Sequence, residues 1–538
     1  MTTPLPVLTD IDAALRAGRL SEALDLARAA LASGTEHPLL LGLRARWHED
    51  NGRPSDATAD LDRALGLSPN DPVLLTALSR CLATLGRFVR SADAARAALR
   101  TAPSAADAHF QLGFALEQLG ELDSARRSYT EATRFDPNLA EARARLAALA
   151  ARRGDWREAR ILAAQALALA PGNLTARFAR IMADLAESRF DRAEADARPI
   201  AENARTVPQA RATAWNFLGD ALDGQSRAPD AFAAYTRSNA TLQALWQPRF
   251  AQAETGNAIA LRLTTEFTAI DAGAWRSAPT GETRPAPIFV LGFPRSGTTL
   301  LAEVLAGHPD LSVLDEKPLL ADSIFEFTTK PGGLARLAAA TPDELTHWRA
   351  LYWRRAEAAG VITGRLVDKA PLDSLHLPLI ARLFPDARIV LALRDPREVV
   401  FACFRRLFAL TPYLYEFLTL EGTAAFYDTA MRLVELYRTA LPLSVLELRN
   451  EDLVANPGRE IARLCAFLDL EPADAMGDFT RRGPRRAAAS PGAANLAGGI
   501  GQSVPAIWRR YETELAAILP LLDPWLARFG YADPLTVL

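Results

Sequence analysis

Two hydrophobic patterns divide the 538 residues of the chain. Through the first half, small residues recur on a fixed beat of 34 positions. Alanine stands at Ala23, Ala57, Ala125, Ala159 and Ala193, with Ser91 on the missing step. Glycine stands at Gly18, Gly52, Gly86, Gly120 and Gly154, followed by Ser188, and proline at Pro69, Pro103, Pro137 and Pro171. Each type has a physical task in a helical hairpin. The glycine ends the first helix in a turn that needs positive φ or close backbone approach, and the proline stops the second helix. The alanine lets the two helices pack closely. One unit reads as helix Ala106–Leu119, turn at Gly120, helix Glu121–Phe135, then Asp136-Pro137. Past about residue 245 the beat is gone, and beyond about residue 285 short continuous apolar runs take over. Ile288-Phe289-Val290-Leu291 and Ile389-Val390-Leu391-Ala392-Leu393 have the pattern of strands buried on both faces of a parallel sheet.

The 34-residue array resembles the tetratricopeptide repeat. Seven hairpins are expected over 8–245. The last spans about Gln209–Leu245, with Gly224 and a two-residue slip before Asp230-Ala231. The resemblance implies a concave superhelix that binds a protein or peptide. Residues 246–284, with breakers at Ala278-Pro279-Thr280-Gly281 and Pro285-Ala286-Pro287, are expected to connect the array to a second domain over 285–538.

In that domain the first apolar run leads at once into Gly292-Phe293-Pro294-Arg295-Ser296-Gly297-Thr298-Thr299, then a predicted helix over Leu300–Ala306. Strand, glycine-bracketed loop and helix together aim backbone N–H groups and a helix dipole at an anion. The glycines fit G-x-x-x-x-G, but Thr298 and Thr299 stand where a nucleoside-triphosphate loop carries Lys-Ser/Thr. That removes the common kinase or ATPase reading. Further strands are predicted at Leu311–Leu314, Arg365–Asp368, Arg388–Leu393 and Ser444–Leu448, alternating with helices. The expected fold is multidomain: an all-α solenoid, then a P-loop-like α/β domain with a mostly parallel sheet. Ligands of such sheets sit at the carboxyl ends of the strands, where the loop, Glu316, Lys369 and Arg394 all fall.

Three segments in order, Pro294–Thr299, Arg394-Asp395-Pro396-Arg397-Glu398-Val399-Val400 and Arg449-Asn450-Glu451-Asp452-Leu453, resemble the sulfotransferases that use 3′-phosphoadenosine-5′-phosphosulfate. The branch is similar to tyrosylprotein sulfotransferases and to bacterial proteins that fuse tetratricopeptide repeats to such a domain. The resemblance implies that Pro294, Arg295, Ser296, Gly297, Thr298 and Thr299 hold the 5′-phosphosulfate and Arg394 the 3′-phosphate. Where the family carries serine eight residues after that arginine, this chain has Ala402, beside Cys403; Arg405 or Arg406 would compensate. Glu316 falls where the catalytic base is expected, and Lys369 resembles the lysine that steadies the transferring group. Ser490, Ser503 and Trp508 resemble donor-binding positions, although the glycine-rich stretch from Gly492 to Gly501 departs from the family pattern. Asp315 and His308 are the other candidates for the base.

Composition narrows the reading further. A net charge of −3 offers no global basic field for nucleic acid. The alanine- and arginine-rich, lysine-poor usage points to a GC-rich bacterial source. Cys81, Cys403 and Cys465 form neither a metal-ligand spacing nor a disulfide framework, so no metal is expected. With no basic leader and no run of about 18 apolar residues, a cytoplasmic protein without a membrane span is expected. The basic run from Arg481 to Arg486 is either solvated or a lid over an anion. Three functions remain open at this level. One is a sulfotransferase whose repeats recruit a protein or peptide acceptor. The second is a sulfotransferase acting on carbohydrate or small molecule. The third is an interaction scaffold with a degenerate donor-binding domain.

Overall fold

The computed structural model describes residues 6–271, 275, 284–478 and 506–531. These fall into two compact units, Met1–Glu187 and Ser188–Leu538. Among the described residues the repeats form seven hairpins, from α1 (Pro6–Arg16) to α14 (Ala228–Phe250). The division between units falls inside the array, so α12 (Phe190–Glu202), α13 (Pro208–Gly224) and α14 belong to the second unit.

The periodic residues take up their expected tasks. Ala23, Ala57, Ala125, Ala159 and Ala193 are wholly buried, and so is Ser91. The Ser91 hydroxyl donates to the Ser79 carbonyl at 2.8 Å, which satisfies the one polar atom placed at an alanine step. Gly18, Gly52, Gly86, Gly120 and Gly154 all have φ between 70° and 81°. The residue after each glycine bonds back to a carbonyl five residues earlier, as Glu121 N–H does to Leu116 at 2.9 Å. That bond closes the helix end that only a left-handed residue allows. In the seventh hairpin Ser226, at φ 62°, makes this turn, and Gly224 instead packs against the Phe190 ring.

The second unit carries a five-stranded, wholly parallel sheet. Its strands are β1 (Ile288–Gly292), β2 (Leu311–Asp315), β3 (Arg365–Lys369), β4 (Arg388–Leu393) and β5 (Ser444–Arg449), in the order β2-β3-β1-β4-β5. Side chains alternate across the pleat. Ile288, Val290, Val367, Val390 and Leu448 pack with Leu301 and Val304 of α16 (Thr298–Leu305) and with Leu464 and Leu468 of α24 (Pro457–Leu468). On the other face, Phe289 meets Tyr352 of α19 (Pro342–Ala359) at 6.2 Å and Phe384, just after α20 (Leu377–Leu383), at 6.0 Å. The chain leaves β1 toward β2 on one side and leaves β4 toward β5 on the other. This reversal opens a crevice between the carboxyl ends of β1 and β4.

The stretch between the repeats and β1 contains α15 (Gly256–Thr268), which the sequence pattern did not announce. Gly256 lies so close to Tyr413 and Phe426 that a Cβ would stand 2.7 Å from each. Phe267 meets Tyr437 of α22 (Leu420–Ala440) edge-on at 4.7 Å.

Candidate functional site

At the end of β1 the chain turns through two unusual conformations, Arg295 at φ 72° and Gly297 at φ 100°. The first is costly for a residue with a Cβ and persists because its surroundings fix it. A Cβ on Gly292 would stand 2.6 Å from Ser296 Oγ, and one on Gly297 2.5 Å from Asn450 Oδ1, so only glycine fits either end of the loop. Cys403 Sγ, from α21 (Pro396–Phe404), donates to the Pro294 carbonyl at 3.3 Å and ties that helix to the loop.

The loop presents groups that suit an anion. Arg295 Nε and Ser296 Oγ are buried without a hydrogen-bond partner, a costly state unless a ligand completes it. Burial, then the field of Arg406, Arg394 and Arg405, pulls the Arg295 guanidinium down to about 10. Four guanidiniums therefore act on one place. Arg394 donates from Nη1 to the Arg295 carbonyl at 3.3 Å and from Nη2 to Glu398 Oε1 at 3.3 Å. The Glu398 carboxyl is pushed up by burial, against the pull of Arg394.

A second cluster sits at the ends of β2 and β3. Lys369 Nζ lies 2.7 Å from Glu316 Oε1 and 2.5 Å from Asp315 Oδ1. The lysine is fully buried, while the Glu316 side chain is 58% exposed and so open to an incoming molecule. Glu316 adopts φ 48°, and its N–H donates to the Lys369 carbonyl at 2.8 Å, which fixes the strained turn. In the ladder Lys369 stands opposite Val290 of β1, so both clusters lie at the same end of adjoining strands.

Pro294, Arg295, Ser296, Gly297, Thr298 and Thr299 lie together on the loop and the start of α16, with Arg394 against them. Glu316 and Lys369 are paired. Arg405 is committed elsewhere: its Nη1 donates to Asp223 Oδ2 at 3.1 Å and its Nη2 lies 3.6 Å from Asp220. Arg406 Nη1 lies 4.0 Å from Asp220. Trp508 is buried, its backbone N–H donating to Glu398 Oε2 at 3.0 Å and its ring under Arg397 at 3.8 Å. Ser490, Ser503, the run from Arg481 to Arg486 and the stretch from Gly492 to Gly501 lie outside the described residues. His308 is buried, bonded through Nε2 to the Glu471 carbonyl at 2.9 Å. Sequence reasoning missed Asp220 and Asp223, and gave no role to Glu398 and Asn450, which stand in the segments quoted above. The first two lie in the repeats, 182 residues or more from the arginine they hold. Their one signal was an acid late in the first helix of a hairpin, as Glu117 is in the fourth.

Residues 287–474 match the family model described as "Sulfotransferase family", and residues 8–72 and 106–139 match models of the tetratricopeptide repeat. The chain thus carries tetratricopeptide repeats followed by a sulfotransferase-family domain. Among named relatives, it is 29% identical over 196 residues to a putative protein-tyrosine sulfotransferase of Caenorhabditis briggsae, covering 35% of this chain and 67% of that protein. It is 31% identical over 223 residues to the nodulation protein NoeE of Sinorhizobium fredii, covering 35% of this chain and 52% of that protein. The chain thus spans between about half and two thirds of the length of these two relatives. A crystal structure of a thermophilic tetratricopeptide-repeat protein from Thermus thermophilus aligns with 34% of this chain and 98% of its own, at 23% identity and a TM-score of 0.30.

Proposed function

We propose that this chain transfers a sulfonate group from 3′-phosphoadenosine-5′-phosphosulfate to an acceptor hydroxyl, and that its repeats recruit a protein or peptide acceptor or partner. The observation that carries the reading is the pairing of the exposed Glu316 with the buried Lys369, beside a loop whose Arg295 Nε and Ser296 Oγ are buried without partners. The residues fit the donor. The orphaned donors of the loop suit its 5′-phosphosulfate, and Arg394, across the β1–β4 crevice, suits its 3′-phosphate. When bound, the donor supplies a sulfonate on a phosphate leaving group.

Glu316 takes the proton of the acceptor hydroxyl as that oxygen forms its bond to sulfur and the sulfur–oxygen bond to the nucleotide phosphate breaks. Lys369 is held in line by Asp315, so it can leave Glu316 for the peripheral sulfonate oxygens without losing every counter-charge. Arg295 and the loop N–H groups receive the charge that develops on the leaving phosphate. The strained φ of Arg295 and Glu316 fixes both groups before substrate arrives, so little reorganisation remains for the reaction itself. The soluble, cytoplasmic location expected from sequence belongs to the same proposal; among the described residues no helix is long and apolar enough to cross a membrane.

Calorimetry with adenosine 3′,5′-bisphosphate against ATP tests the reading. The bisphosphate is expected to bind more tightly, and tighter ATP binding would overturn it. Glu316→Ala is expected to keep bisphosphate binding while lowering kcat by about 10²–10⁴, the usual contribution of a general base. Normal turnover in that variant removes Glu316 from the role.

A further inference from the structure

The fourth hairpin and the seventh share a glycine–tyrosine seat with an acid four residues after the glycine. In the fourth, made of α7 (Ala106–Gln118) and α8 (Leu122–Phe135), Gly113 seats the Tyr129 ring, since a Cβ would fall 2.7 Å from it. Tyr129 Oη donates to Glu117 at 2.8 Å, and Arg145 and Arg152 of α9 (Ala140–Arg152) reach Glu117 at 3.8 and 3.6 Å. In the seventh, Gly219 seats Tyr235 in the same way, with a Cβ 2.5 Å from the ring. Asp223 stands four residues after Gly219, as Glu117 stands four after Gly113, but Tyr235 Oη donates to Asp220 at 2.9 Å and leaves Asp223 to other partners.

Here the arginines come from the sheet domain rather than from another hairpin. Arg405 and Arg510 lie 3.1 and 3.0 Å from the Asp223 carboxylate, and Tyr511 Oη donates to it at 2.6 Å. Around this contact, Asn216 and Asn239 donate through Nδ2 to the carbonyls of Arg405 and Phe404, each at 2.8 Å. Those carbonyls end α21 and would otherwise be unpaired. Helix α21 begins directly after Arg394-Asp395, and Cys403 near its end holds the Pro294 carbonyl. What fixes the end of α21 therefore fixes both halves of the anion site.

We propose that Asp223 is a positioning residue of the donor site, holding Arg405 and the turn Ile507–Tyr511 so that α21 presents Arg394, Arg406 and the loop tie at Cys403 in register. Arg405 acts as an anchor in this arrangement. The proposal rests on the sulfotransferase reading, and its test separates the two.

The test uses the full chain, with calorimetry against adenosine 3′,5′-bisphosphate and steady-state kinetics in the donor. Asp223→Asn keeps the shape but cannot hold two guanidiniums as a carboxylate does. It is expected to weaken bisphosphate binding and raise donor KM by about tenfold each, equivalent to about 1.4 kcal/mol, with kcat within about twofold. Tyr511→Phe removes one hydroxyl and keeps the ring tilted against Phe401 at 4.2 Å; it serves if Asp223→Asn does not fold. Its expected effect is about threefold, in the same two quantities. Unchanged Kd and KM overturn the proposal. A fall in kcat with KM unchanged overturns it too, because that marks a merely structural role. A wild-type chain that does not bind the bisphosphate sinks the sulfotransferase reading instead, and Asp223 falls with it.

Discussion

The fourth and seventh hairpins carry the same glycine–tyrosine seat, yet the acid beside it serves two ends. In the fourth, Glu117 joins one hairpin to the arginines of the next. In the seventh, Asp223 joins a hairpin to arginines of the sheet domain. The contact that joins one repeat to the next is, at the last step, one that seats the helix beside the glycine-bracketed loop. The difference teaches that a repeat position can keep its chemistry while its partner changes from another repeat to another fold. On the proposed reading, the repeats of the second unit support the site as well as recruit.

The largest expected effects test whether the two seats are equivalent in packing but not in consequence. Gly113→Ala and Gly219→Ala each force a methyl against a tyrosine ring and should each destabilise by about 1–3 kcal/mol, read from denaturant unfolding. Only Gly219→Ala should also weaken adenosine 3′,5′-bisphosphate binding, because only its tyrosine stands beside Arg405, 5.6 Å from the ring. An equal loss of binding in Gly113→Ala would dissolve the distinction.

Acid sharpens the contrast from the catalytic side. In the third hairpin the buried hydroxyls of Ser79 and Ser91 satisfy each other. The sheet domain instead buries His376, whose Nδ1 has no partner. Burial, with the field of Arg262 second, pulls its imidazole down to about 3. The sign follows from linkage. Above the ordinary histidine value, about 6.5, both folded and unfolded forms are neutral. Below it the unfolded chain gains a proton that the folded chain refuses until about pH 3, so stability is lost as pH falls through this window. Between pH 7.5 and 5.5 the loss due to His376 should be about 1.4 kcal/mol, and His376→Gln should flatten the difference by that amount. An identical slope in both proteins would show that the imidazole does not set it.

Much of this was readable in the sequence because it is local. The 34-residue beat announced the hairpins, since each glycine turn and buried alanine answers to its own neighbours in the chain. Strands β1 and β4 announced themselves by continuous apolar runs, and the candidate site by residues at or just beyond the strand ends. What stayed hidden is contact between distant segments. Nothing near Asp223 names Arg405 or Tyr511, and nothing near Gly256 names Phe426. Helix α15 escaped notice because its apolar face answers to α22 and not to a repeat. The commitment of Arg405 to Asp223 is likewise invisible from a motif that places an arginine near the donor.

The smallest effect concerns the turns, where sequence and structure part by two residues. Gly224 appeared to continue the glycine series, but Ser226 makes the left-handed turn and Gly224 packs on Phe190. A side chain in that conformation costs roughly 1 kcal/mol, which glycine avoids while losing some entropy on folding. Ser226→Gly should therefore stabilise the chain by less than about 1 kcal/mol, and Gly120→Ala should destabilise it by about 1 kcal/mol. Neither substitution should move bisphosphate binding: the Gly120 turn lies in another hairpin, and Ser226→Gly keeps the backbone N–H that donates to the Asp223 carbonyl at 3.0 Å. If Ser226→Gly weakened that binding, the turn would be part of what holds Asp223, and the support of the site would begin three residues further along the chain than the carboxylate itself.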